Sequence, residues 1–174
     1  MRYFKKIEGE RVYLSPMRVE DAEMYTKWMN DPEVSTYLGQ YDNMVSLENE
    51  RAYIESAVKD GHNYAIVLND GDQLIGNISL MNINHRHRRA TLGLFIGEAE
   101  HRSKGYGTEA VRLIVNYGFK TLNLSNIMLM VFSPNKRAIA CYEKVGFKEF
   151  GRRTKCAFID GEYVDDVYME ILNI

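Results

Sequence analysis

A glycine-bearing loop held between an apolar strand and an amphipathic helix, with a second apolar strand close behind, constrains this chain more than any other feature. Ala90–Ile96 reads as a strand, and a loop from Glu98 carries Arg102-Ser103-Lys104-Gly105-Tyr106-Gly107. A helix from Thr108 to Leu122 places Ala110, Val111, Ile114, Val115 and Phe119 at core-facing spacing, and Ile127–Phe132 reads as the next strand. Such a crossover makes its two strands parallel neighbours with a right-handed connection.

The flanking segments read differently. Tyr64–Leu68 and Gln73–Ile83 enclose the turn Asn69-Asp70-Gly71-Asp72, and a second hairpin crosses Asp160-Gly161 into a last strand, Tyr163–Leu172. Gly76 inside its strand predicts a bulge or a close backbone approach. Before the hairpins, a short strand at Arg11–Ser15 leads to a helix with Ala22, Tyr25, Trp28 and Met29 on its inner face, ended by Asp31-Pro32. A second helix runs from Ser46 to Lys59 and is expected to bury Tyr53, Ile54, Ala57 and Val58; another follows over 135–145. The expected fold is a mixed sheet with helices packed on it, in the α/β or α+β range. With 174 residues and no linker-like run or repeat, residues 1–174 read as one domain large enough to need no metal or disulfide staple.

Cys141 and Cys156 have neither CxxC nor metal-ligand spacing, which suits a reducing compartment and no metal. The charged N-terminus lacks a signal-peptide core, and no stretch approaches the ~20 apolar residues of a membrane span. A cytoplasmic protein with no membrane partner is expected. The net charge of −2 argues against a nucleic-acid partner, yet it conceals a split. Residues 1–60 carry 12 acidic and 8 basic side chains, whereas residues 85–120 carry 3 acidic and 7 basic.

The basic segment contains the loop. Two glycines separated by one residue let the backbone turn without a Cβ in a ligand's way. The loop opens into a helix whose first N–H groups lack internal partners, and Arg102 and Lys104 add positive charge. This combination suits a phosphate. Neither the P-loop pattern nor the dinucleotide glycine pattern is present, because Gly-x-x-x-x-Gly-Lys-Ser/Thr and the third glycine are missing.

Arg102-x-x-Gly105-x-Gly107 after a strand and before a helix resembles the acetyl-CoA signature Gln/Arg-x-x-Gly-x-Gly/Ala of the GNAT N-acetyltransferase superfamily. A second stretch, Ser133-Pro134-Asn135 through Ala138, Cys141, Tyr142 and Gly146-Phe147, is similar to the family's downstream signature. The likeness runs from Arg11 to Leu172 and is strongest to the branch holding ribosomal-protein N-terminal and spermidine acetyltransferases. It implies a GNAT-like sheet of six to seven strands with a splayed parallel central pair and helices on both faces. It implies acetyl-CoA as cosubstrate, its pyrophosphate on the backbone of Arg102, Ser103, Lys104, Gly105, Tyr106, Gly107 and Thr108. Its pantetheine arm would lie beside Phe95 and Ile96, with Asn135 touching that arm.

The resemblance further implies acetyl transfer to a primary amine, with Tyr142 as the acid that protonates the leaving thiolate. Many relatives carry a glutamate where this chain has Thr91, and Glu33, Glu98 and Glu100 are candidate bases by type only. Asp31, Glu33 and Asp42 in the acidic third suit a cationic amine, either a small molecule such as a polyamine or a protein N-terminus. Cys141 and Tyr142 are adjacent on a helix and so are expected to face different ways. A monomer or homodimer is expected. The alternative is a catalytically weak CoA-binding regulatory module.

Overall fold

The computed structural model describes residues 2–173. The elements run β1 (Ile7–Glu8), β2 (Val12–Pro16), α1 (Ala22–Met29), α2 (Pro32–Leu38), α3 (Leu47–Asp60), β3 (Asn63–Leu68), β4 (Leu74–Asn84) and β5 (Arg89–Ile96). They continue as α4 (Tyr106–Lys120), β6 (Asn126–Phe132), α5 (Lys136–Val145), β7 (Lys148–Ile159) and β8 (Glu162–Leu172). One sheet takes the order β1-β2-β3-β4-β5-β6-β8-β7. All neighbours are antiparallel except β5 and β6, the pair that the crossover through α4 makes parallel. The sheet has eight strands rather than six to seven, because the two residues of β1 pair with Tyr13 and Leu14.

Alternation along the strands sends side chains to two cores. Val12 and Leu14 pack on the α4 side with Ile66, Ile78, Ile114 and Val167, whereas Tyr13 faces Trp28, Ile54 and Val67 under α1–α3. The inner faces expected of α1 and α4 are buried, apart from half-buried Phe119. For α3 the expectation fails on two residues. Its buried stripe is Glu50, Ile54 and Ala57, a spacing of four and three, which leaves Tyr53 and Val58 on the helix flanks in solvent.

Asp31-Pro32 ends α1 as expected, but it also starts α2. The Asp31 carboxylate accepts the Glu33 N–H at 3.0 Å, and Pro32 occupies the first turn, where a missing N–H costs nothing. Gly76 meets both expectations. The register slips beside it, between Ile66 and Val67, and a Cβ on Gly76 would lie 2.2 Å from the Phe95 carbonyl oxygen.

Candidate active site

The parallel pair holds together only at its start. Arg89, Ala90 and Thr91 pair with Asn126, Ile127 and Met128. Beyond that point β5 stays on β4 as far as Ile96, and β6 stays on β8 as far as Phe132. The strands splay, and the β6-facing backbone of Leu92–Ile96 is left without a strand partner. A cleft of about 530 Å³ fills the gap, within the range of small-molecule sites.

At one end of the cleft the loop turns into α4. Ser103 (φ +59°) and Gly105 (φ +85°) are both left-handed, and Gly105 stands at the N-cap with no side chain to cap the helix. The first helical bond joins Glu109 N–H to the Gly105 carbonyl at 3.0 Å, so the amides of Tyr106, Gly107 and Thr108 have no helical acceptor. Gly107 has a different reason for being small. A Cβ there would meet Leu94, Ile96 and Cys141 only at ordinary contact distances of 3.6–3.9 Å. Neither backbone strain nor a protein clash demands glycine; the space it leaves belongs to the cleft.

Nine of the expected site residues line this cleft: Phe95, Ile96, Arg102, Ser103, Gly105, Gly107, Thr108, Asn135 and Tyr142. Lys104 and Tyr106 do not, although their backbones belong to the loop. The Lys104 carbonyl accepts Arg11 Nη1 at 2.9 Å, and the Arg11 guanidinium lies 5.0 Å from the Tyr106 ring centre. Arg11 also donates through its backbone N–H and Nε to Glu109. It thus pins the loop and the start of α4 to β2, a role that no local pattern around residue 11 signals.

Arg102 is corrected in its charge. Its side chain is only 7% exposed and is committed to partners on α2 and at the end of β5. Nη1 lies 2.5 Å from Glu33 Oε2, Nη2 lies 3.8 Å from Asp31, and Nε and Nη2 donate to the carbonyls of Ile96 and Gly97. The guanidinium therefore fastens α2 to the end of β5, and its charge is met by two carboxylates. Asn135 is likewise partly committed: its Oδ1 caps α5 by accepting the Ala138 N–H at 3.2 Å. The amide NH₂ group remains for the cleft.

Tyr142 is buried against Phe147, with ring centres 5.8 Å apart, and burial raises its phenol above the ordinary value. Such a phenol stays protonated near neutral pH. Cys141 lines the cleft as well, because α5 presents a wide face to it. The two still reach different places: the Cys141 thiol accepts from Thr108 Oγ1 at 3.3 Å beside Gly107, and burial pushes its pKa up.

The candidate bases fare unequally. Glu98 accepts Lys27 Nζ at 2.7 Å and Trp28 Nε1 at 3.1 Å, bonds that hold its carboxyl below the usual range. Glu100 pairs with His101 and is not part of the cleft wall. Glu33 is in the wall but bound to Arg102, and Thr91 adds only a hydroxyl. Among the described residues, no group of three or more His, Cys, Asp or Glu is arranged to hold a metal ion. No helix there is long and apolar enough to cross a membrane.

A mixed sheet opened along its one parallel pair, with a glycine loop and a bare helix N-terminus at the opening, is the architecture of CoA-dependent acetyltransferases. The chain belongs to the GNAT family: a profile of the acetyltransferase (GNAT) domain matches residues 11–148. It is 32% identical over 158 residues to the spermidine N(1)-acetyltransferase of Escherichia coli (strain K12), covering 91% of this chain and 84% of that one. It is 31% identical over 171 residues to the uncharacterized N-acetyltransferase YoaA of Bacillus subtilis (strain 168), covering 95% and 96%. Among solved structures, the spermidine N-acetyltransferase of Vibrio cholerae in complex with CoA and spermine superposes with a TM-score of 0.83 at 28% identity, covering 94% of this chain and 96% of that one.

Proposed function

We propose that this protein, a single domain over residues 1–174, transfers the acetyl group of acetyl-CoA to a primary amine inside the β5–β6 cleft. The observation that carries this reading is the unpartnered edge of Leu92–Ile96 leading directly to the open amides of Tyr106, Gly107 and Thr108. The amides and the helix dipole suit a pyrophosphate, and the β5 edge suits the amide-bearing pantetheine arm as an added strand. The Asn135 NH₂ group and the hollow over Gly107 complete that half of the site.

The amine nitrogen attacks the thioester carbon, the carbonyl oxygen takes up negative charge, and the carbon–sulfur bond then breaks. A β5 backbone N–H left free by the splay suits the oxyanion. The thiolate needs a proton, and the Tyr142 phenol, held protonated by burial, is the donor we assign. The ammonium proton leaves through water, since the one carboxylate in the cleft wall among the described residues is the Arg102-bound Glu33.

A thiol-release assay over a panel of amines, with CoA affinity measured by calorimetry, tests the reading. Release with at least one amine is expected. Tight CoA binding with no release would leave a regulatory CoA-binding module in its place.

A further inference from the structure

The two faces of the cleft differ in chemistry. Ala90, Leu92, Leu94 and Ile96 point toward α4, where the open amides lie, and Phe95 packs under α1 and α2. Alternation places Thr91 and Gly93 on the Phe95 face, opposite the phosphate end. In β6, Ile127, Leu129 and Val131 belong to the α4-side core, so Met130 opens to the other face. An amine entering opposite the cofactor arrives on this second face.

Its mouth is apolar. Tyr37 and Leu38 come from α2, Met81 from β4 and Met130 from β6. Tyr37 and Met81 are each 39% exposed and Met130 is 45% exposed, an unusual grouping of large apolar side chains around one opening. Met81 reaches over the splay itself, its Cε 3.0 Å from where a Gly93 Cβ would stand. Two of the carboxylates expected to suit a cation are already paired: Glu33 with Arg102, and Asp31 with Arg102 and the α2 cap. Asp42 is exposed and outside the cleft wall. A second ammonium bound beside Met81 and Met130 would lose water and would have to compete with Arg102 for Glu33, the one carboxylate in the cleft wall among the described residues. Past Met81 lies a separate cavity of about 470 Å³ whose single carboxylate among the described residues is Asp60.

We propose that the acceptor is a primary amine carried on an apolar, preferentially aromatic, body with no second positive charge, selected by Tyr37, Leu38, Met81 and Met130. The proposal rests on the acetyltransferase reading and names its substrate class. It sets this chain apart from relatives whose names specify spermidine.

The test compares kcat/KM for phenethylamine, a short peptide with phenylalanine first, putrescine and spermidine, with CoA affinity measured in parallel. At least one of the two apolar amines should exceed spermidine by about tenfold or more, and which one does distinguishes a free amine from a chain terminus. Met81→Glu should erode that ratio and raise spermidine turnover while CoA affinity stays within about twofold of the unaltered protein. Preference for spermidine, above all with a KM raised by Asp60→Asn, would overturn the inference and leave the acetyltransferase reading standing. Absence of both CoA binding and thiol release would overturn the two together.

Discussion

The two halves of the cleft are built by different means. The half that faces α4 is made of backbone: an unpaired strand edge, three helix amides and a glycine that leaves room. The half that faces α2 is made of side chains from α2, β4 and β6. A backbone site depends on where glycines fall and where a strand loses its partner, so it is sensitive to a few positions and indifferent to most. A side-chain site depends on which elements meet, and it can change its ligand without disturbing the fold.

Substitutions at Gly107 and Tyr142 should separate those halves most sharply. Gly107→Glu places bulk and negative charge over the open amides. CoA affinity should fall by about a hundredfold or more, an effect of about 2.7 kcal/mol on the affinity scale. The melting temperature should hold, because glutamate suits a first helical turn and a Cβ meets no clash there. Retained affinity by calorimetry would break the backbone account. Tyr142→Phe should lower kcat by about a hundredfold, the lower range for a general acid, with CoA affinity within about twofold. Unchanged kcat would remove the phenol from the reaction.

Arg102 lies on the seam between the halves. Arg102→Leu leaves Glu33 without its cation and the carbonyls of Ile96 and Gly97 without donors. Stability should drop by about 1–3 kcal/mol in urea unfolding, and the amine KM should rise more than the CoA dissociation constant. The opposite split would return the Arg102 charge to the phosphate side. Glu98→Gln should have the smallest effect. The Glu98 carboxyl is held low by Lys27 and Trp28, so its contribution is full above the ordinary glutamate range and lost as pH falls through the lowered value. The loss should be about 0.5 kcal/mol at neutral pH, vanishing in acid; a difference that persists at low pH would show that the ion pair is not its source.

The same contrast explains what the sequence discloses. Gly105, Gly107 and the strand–helix–strand pattern around them encode local geometry, and local geometry is what short-range pattern describes. The splay follows from the crossover plus two hairpins that hold β5 and β6 to opposite partners. The acceptor side is hidden from local pattern because it depends on residues distant in sequence: Glu33 meets Arg102, and Met81 meets Gly93. By composition the acidic third is a field for cations, because a count of carboxylates does not show that Asp31 and Glu33 are paired with Arg102. Asp31-Pro32 carries two local signals at once: it is a stop for α1 and equally an N-cap with its proline for α2.

The short pairing of β5 with β6 also bears on how the molecule holds together. Three residues on each strand stitch β1–β5 to β6–β8 within the sheet, and α4 spans the rest of the join. A cosubstrate lying along the free edge as a surrogate strand would extend that stitching by several residues. Loading would then stiffen the join as well as fill the site, because the three residue pairs of the seam are the short tie between the two parts of the sheet.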